Sequence, residues 1–215
     1  MADKGIPEVP IALNEIKPDN RDPLDLDVKA LPYTKFYCEE NIWKLAEHIS
    51  NKCTDFSKCY VIISSNDKKK VPFFHHKTGK AENMYMQIWD YHLIIIWKES
   101  KEQIVVYDLD TNLPFPMVFD QYKQLHLQPD IMNRMTADFQ RSYRILKAQD
   151  FLNYFASDRS HMIESNGSYY APPPPHDPIR TEHSTHTLDE LVAMKKNTAP
   201  GHVCDEESFI KIFSP

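Results

Sequence analysis

The stretch from His92 to Asp108 limits the fold more than any other part of the chain. It reads His92-Leu93-Ile94-Ile95-Ile96-Trp97, a charged stretch at residues 98–102, then Gln103-Ile104-Val105-Val106-Tyr107-Asp108. β-Branched and aromatic side chains suit a pleated strand, and each run has strand length. Neither run alternates apolar with polar residues, so neither face of either strand suits water. Two such strands joined by a charged turn make an antiparallel hairpin at the centre of a sheet, covered on both sides. His92 starts the first strand and Asp108 ends the second, and in a hairpin those ends are neighbours.

The rest of the chain supplies the cover. Ile42, Leu45, Ala46 and Ile49 recur at helical spacing, and Cys38 lies on the same stripe. Glu39 and Glu40 stand where a helix's first turn favours acids. Cys38 is therefore expected at a helix N-terminus, facing inward. Residues 59–63 read as a further strand, with residues 71–75 as its hairpin partner and residues 84–89 leading into the central hairpin. A strand is expected at 143–146, with short helices at 119–127, 150–156 and 207–213. Thr187-Leu188-Asp189-Glu190 has the capping-box pattern of another helix start. A helix, a run of strands, then helices is an α+β layout with a central antiparallel sheet. The length of 215 residues suits one folded domain. Residues 1–32 hold prolines at 7, 10, 18, 23 and 32 with weak apolar periodicity. They are expected to form a flexible arm ahead of a single domain at 33–215.

Composition removes several function classes. A net charge of −6 disfavours binding to nucleic acid, which rests on neutralising phosphates. Only four glycines are present, and no phosphate-cradling glycine loop appears. No apolar run is long enough to span a bilayer. Met1-Ala2-Asp3-Lys4 opens no signal-type apolar region, so the four cysteines are expected as free thiols in a reducing compartment. Cys53 and Cys59 lack a second cysteine pair, and His183-Ser184-Thr185-His186 lacks a third ligand. No metal or organic cofactor is expected.

One constellation can carry chemistry. A thiol attacks as thiolate, and a helix N-terminus or a protonated imidazole lowers its pKa. Cys38 has the first by position, and His92 with Asp108 offers a base and the acceptor that orients it. A chain with ten histidines and four cysteines offers such trios by chance. Cys38 as a small buried hydrophobe and His92 as a hydrogen-bonded core residue is the competing reading.

Longer strings bear on that choice. Tyr37-Cys38-Glu39-Glu40-Asn41-Ile42-Trp43-Lys44-Leu45, Trp89-Asp90-Tyr91-His92, Tyr107-Asp108-Leu109-Asp110-Thr111 and Leu113-Pro114-Phe115-Pro116 resemble the protein N-terminal glutamine amidohydrolases. So do Phe155-Ala156-Ser157-Asp158-Arg159-Ser160-His161-Met162 and the run Pro172-Pro173-Pro174-Pro175. The family's WDYHV string ends here in Leu93. The resemblance implies a transglutaminase-like, papain-related fold, with Cys38 as nucleophile, His92 as general base and acid, and Asp108 as orienter. It implies deamidation of an N-terminal Gln to Glu with loss of ammonia, by a cytoplasmic or nuclear monomer feeding the arginylation branch of an N-degron pathway. The partners would be proteins or peptides with a free N-terminal Gln, without nucleic acid or membrane. The substrate's ammonium calls for acceptors, for which Glu39, Asp90, Asp110 and Asp158 are candidates, and Trp89 is a candidate for the site mouth. A transglutaminase or peptidase on the same fold, or a binding module without turnover, are the alternatives.

Overall fold

The computed structural model describes residues 22–214. Within them the strands are β1 (Cys59–Ser65), β2 (Val71–Phe73), β3 (Gln87–Trp89), β4 (Tyr91–Lys98), β5 (Ile104–Tyr107), β6 (Met117–Val118), β7 (Ser142–Lys147) and β8 (His202–Asp205). Six form one antiparallel sheet in the order β6-β5-β4-β1-β7-β8, and β2 with β3 forms a separate two-stranded ribbon. The helices are α1 (Cys38–Lys52), α2 (Phe119–Tyr122), α3 (Pro129–Met132), α4 (Ala148–Tyr154), α5 (Leu188–Val192) and α6 (Glu206–Phe213). The α+β layout around a central antiparallel sheet is as the patterning implies.

The apolar hairpin is explained by what covers it. On β4, Leu93, Ile95 and Trp97 enter one core with Ile42, Leu45 and Ile49 of α1, Phe151 of α4 and Leu191 of α5. Ile94 and Ile96 point the other way, into a second core with Phe119 and Tyr122 of α2 and Phe209 and Phe213 of α6. Every side chain of the strand's middle is thus buried, each Ile or Leu contributing roughly 1.5–3 kcal/mol. No described helix is long and apolar enough to cross a membrane.

Three expectations are changed. Residues 71–75 do not return along β1. Both edges of β1 are taken, by β4 and β7, and β2 pairs with β3 through Val71↔Trp89 and Phe73↔Gln87. Pro72, in the middle of β2, has no N–H to give a central ladder. The Thr187 side chain does not cap α5. Its hydroxyl donates to the Tyr154 carbonyl and accepts the Ala156 N–H, both at 2.9 Å, and so ties α5 to the end of α4. The third change concerns the proline-rich arm. Its residues 1–21 lie outside the described residues, but residues 22–32 lie on the domain. Leu26 and Leu31 are buried in the first core, and the Asp22 carboxylate accepts the N–H groups of Leu24 and Leu26 and the hydroxyl of Tyr107.

Candidate active site

Cys38 is the first residue of α1, and the turn before it is pinned. Asn41 brackets Thr34, its side-chain oxygen accepting the Thr34 N–H and its amide donating to the Thr34 carbonyl, each at 2.8 Å. Tyr37, fully buried, donates its hydroxyl to the Ala171 carbonyl. Phe36 between them takes a left-handed φ of 73°, which a non-glycine residue keeps only when its surroundings enforce it. The helix start is therefore fixed, with the Cys38 thiol partly open to a pocket of about 130 Å³. That volume is small beside the roughly 300–1,000 Å³ of common small-molecule sites, and suits a single amino-acid side chain.

His92, on β4, lines the same pocket and directs Nε2 at Asp108, 3.1 Å from Oδ1. The register explains the meeting. Ile95 pairs with Tyr107, so His92 and Asp108 fall on the same face as diagonal neighbours. With Nε2 engaged, Nδ1 is the ring nitrogen left for the pocket side. Asp108 is held in turn by the Asp110 N–H on Oδ1 at 2.9 Å and the Tyr122 hydroxyl on Oδ2 at 2.8 Å. Behind it lies His126, whose ring stacks on Tyr122 at 4.5 Å and whose Nε2 is 3.6 Å from Oδ2. His126 sits on a π-turn (Lys123–Leu127) that continues α2, a local irregularity common at functional sites.

Burial alone would push His92 toward neutrality, but the charge and hydrogen bond of Asp108 hold its pKa above the ordinary value. Burial likewise favours a protonated Asp108. The His92 partnership and the Asp110 N–H outweigh it and keep the carboxyl below its usual range. Cys38 departs from the simple helix-start expectation. Burial and the nearby Glu39 and Asp110 carboxylates push its thiol upward, against a smaller lowering by the Leu93 backbone. The resting group is thus a thiol beside a readily protonated imidazole.

The remaining candidates divide. Asp90, Asp110 and Trp89 line the pocket. Asp110 accepts the Tyr33 hydroxyl at 2.6 Å, and the buried Trp89 indole N–H has no partner among the described residues. Glu39 is fully buried behind Cys38, its Oε2 3.7 Å from the sulfur and 3.1 Å from the Tyr91 hydroxyl. Its Oε1 faces His161 Nε2 at 3.3 Å, out of line for a hydrogen bond. Asp158 does not line the pocket; it accepts the Ser160 N–H and faces His186. Tyr91 and His161 lie inside the diagnostic strings, which do not by themselves mark them as site residues. For His76, Tyr122 and His126 no sequence signal existed.

Two sets, His76 with His92 and Asp110, and His92 with Asp108 and His126, bring one ligand atom each within 4.8 Å. By distance either could hold a cation. Within the second set, His92 and Asp108 are hydrogen-bonded to each other.

The profile of the family described as N-terminal glutamine amidase matches residues 33–213. Proteins named "Protein N-terminal glutamine amidohydrolase" from Drosophila mojavensis, Drosophila ananassae and Drosophila melanogaster are each 35% identical over 182 residues. Each alignment covers 84% of this chain and 87% of the relative.

Proposed function

We propose that this chain, which belongs to the N-terminal glutamine amidase family, deamidates an N-terminal Gln of proteins or peptides through Cys38, His92 and Asp108. Hydrolysis of an amide follows from the family. The residue roles rest on one observation above all: the Asp108-oriented imidazole of His92 shares a small pocket with the thiol of Cys38.

The mechanism follows from the protonation states. The Cys38 thiol gives its proton to His92 as sulfur attacks the carboxamide carbon, so the thiolate forms only as it is used. The imidazolium, stabilised by Asp108, then protonates the departing nitrogen, and ammonia leaves a thioester on Cys38. Neutral His92 takes a proton from water, which attacks the thioester. Glutamate is released and the thiol restored. The first-turn N–H groups of α1, which have no intrahelical partner, face developing negative charge. The carboxylates of Asp90 and Asp110 on the pocket wall provide acceptors for the substrate's α-ammonium. The new N-terminal Glu is the form that an arginylation step would take up, in the cytoplasm or nucleus, and the chain acts as a monomer whose catalytic residues all lie within 33–215. The transglutaminase-like placement of the nucleophile at a helix start in front of a sheet accords with this chemistry.

Four peptides decide the reading: one beginning with Gln, the same N-acetylated, one with Gln second, and one beginning with Asn. The first should release ammonia and gain one mass unit. The acetylated and internal forms leave the ammonium acceptors unpaired, and sites of that kind reject analogues by about four orders of magnitude. Asn, one methylene short, misplaces the carboxamide and should react at least a hundredfold more slowly. Cys38→Ala should abolish release in a folded protein, and Cys59→Ala, in the core, should keep activity per folded molecule. Equal reaction of free, acetylated and internal Gln would leave a general glutaminase instead.

A further inference from the structure

His76 lines the same pocket as Cys38 and takes no part in the constellation above. Its ring packs edge-on to His92 with centroids 5.8 Å apart and against Trp89 at 5.6 Å. The backbone around it is clamped. His75 takes a left-handed φ of 52°, a conformation that costs a non-glycine residue energy and persists only where neighbours enforce it. They do so from both sides. The N–H groups of His75 and His76 donate to the carbonyls of Met84 and Tyr85, the Asn112 N–H donates to the His75 carbonyl at 2.7 Å, and the Asn112 amide donates to the His76 carbonyl. Gly79, in the same loop, lies so close to Tyr85 that a Cβ would come within 2.1 Å of its carbonyl oxygen. The His76 side chain is thus carried on backbone fixed from both sides.

Its protonation is equally determined. The Thr78 N–H donates to His76 Nδ1 at 3.2 Å, and the Thr78 hydroxyl lies 2.9 Å from the same nitrogen. A backbone N–H can only donate, so Nδ1 carries the lone pair and the ring proton sits on Nε2. A second proton would have to enter on Nδ1, against the Thr78 N–H. Burial and the neighbouring His92 charge act in the same sense, with a pKa lowered to about 4. His76, which lines the pocket of Cys38, is thus a neutral imidazole whose Nε2–H has no hydrogen-bond partner among the described residues. Trp89 has a spare N–H too, but that atom is wholly buried. Two adjacent histidines driven apart in this way, His92 toward the cation and His76 toward the neutral form, are a pattern of divided roles.

We propose that His76 is a further catalytic residue, donating its Nε2–H to the oxyanion that forms when Cys38 attacks the carboxamide, opposite the first-turn N–H groups of α1. It holds negative charge and transfers no proton. This rests on the amidase reading above, and the test separates the two. Wild type, His76→Phe and His76→Gln are compared for ammonia release from a Gln-initiated peptide, for alkylation of Cys38 by iodoacetamide, and for thermal melting. Loss of one oxyanion donor lowers kcat about 100- to 1,000-fold, the result expected for His76→Phe, with Cys38 alkylation near the wild-type rate. His76→Gln, whose amide can donate, should recover most of the loss. The acid limb of its pH profile should stay where wild type has it, since His76 does not titrate in the working range. An active wild type with equally active His76→Phe would overturn the proposal, as would His76→Gln falling as far as His76→Phe. A shifted acid limb in His76→Gln would make His76 a proton carrier and overturn it too. An inactive wild type would remove the amidase reading itself.

Discussion

Burial on its own drives an imidazole to the neutral form, yet His92 is held on the charged side by one carboxylate, Asp108, that His92 itself and the Asp110 N–H keep ionised. This chain of causes is measurable. In a Cys38→Ala background, NMR of His92 should show a pKa above the ordinary 6.5 or so. Asp108→Asn should bring it below that figure, because desolvation then acts unopposed. The linkage has a definite sign. A group whose folded pKa is raised stabilises the fold in full below its unfolded pKa, and that contribution is lost as pH rises through the folded value. The Asp108→Asn protein should lack this pH dependence above about 6.5, and its kcat should fall sharply through loss of the oriented tautomer. A His92 titration unmoved by Asp108→Asn would exclude the carboxylate as its cause.

The first turn of α1 also carries Glu40, buried and gripped in bidentate fashion by Arg159, with Nε–Oε1 and Nη2–Oε2 both at 2.8 Å. Arg159 has a left-handed φ of 63° and opens the short turn (Ser160–Met162) that brings His161 to the pocket. One ion pair thus joins the helix of the nucleophile to the loop that closes the site. Breaking a buried pair from one side leaves an unmatched charge at a cost of about 3–5 kcal/mol, whereas apolar replacement of both partners is often near neutral. Glu40→Gln should therefore lower the melting temperature more than the double change Glu40→Leu with Arg159→Met does. Equal losses would mean that packing, not charge, holds the two elements together. This joint was invisible in the sequence, because residues 119 apart give no periodic signal. What could be read was local or strongly apolar. The β4–β5 hairpin announced itself through doubly buried strands, α1 through its stripe, and Cys38, His92 and Asp108 through motif strings. β2 has only three residues, and no pattern tells its partner. His202-Val203-Cys204-Asp205 lacks the apolar alternation that would have marked β8. His76 owes its role to a loop conformation set by Met84, Tyr85 and Asn112, which only the folded chain brings together.

At the scale of the whole molecule, the sheet edge that carries Asp108 is braced from the far end of the chain. Tyr107, the residue before Asp108, is fully buried, and its hydroxyl donates to Asp22 at 2.5 Å; burial and that carboxylate push its pKa upward. Asp22 also gathers the N–H groups of Leu24 and Leu26, and Lys52 at the end of α1 donates to the carbonyls of Leu24 and Asp25. The segment then inserts Leu26 and Leu31 into the core shared by α1 and β5. Proline-rich composition suggested a free arm because prolines hide periodicity, while two leucines and one aspartate do the anchoring. Two truncations distinguish the possibilities. Removal of residues 1–21 leaves all these contacts in place and serves as the reference. Removal of residues 1–31 takes away both leucines, each worth about 2–5 kcal/mol as a buried side chain. It also orphans the Tyr107 hydroxyl, for a further cost of roughly 1–3 kcal/mol. For a domain whose total stability is about 5–15 kcal/mol, the longer deletion should melt far below the shorter one or fail to fold. Asp22→Ala, which keeps both leucines, should fall between them, since it frees the Tyr107 hydroxyl and the N–H groups of Leu24 and Leu26. Identical melting curves for the two truncations would show that residues 22–31 rest on the domain without supporting it.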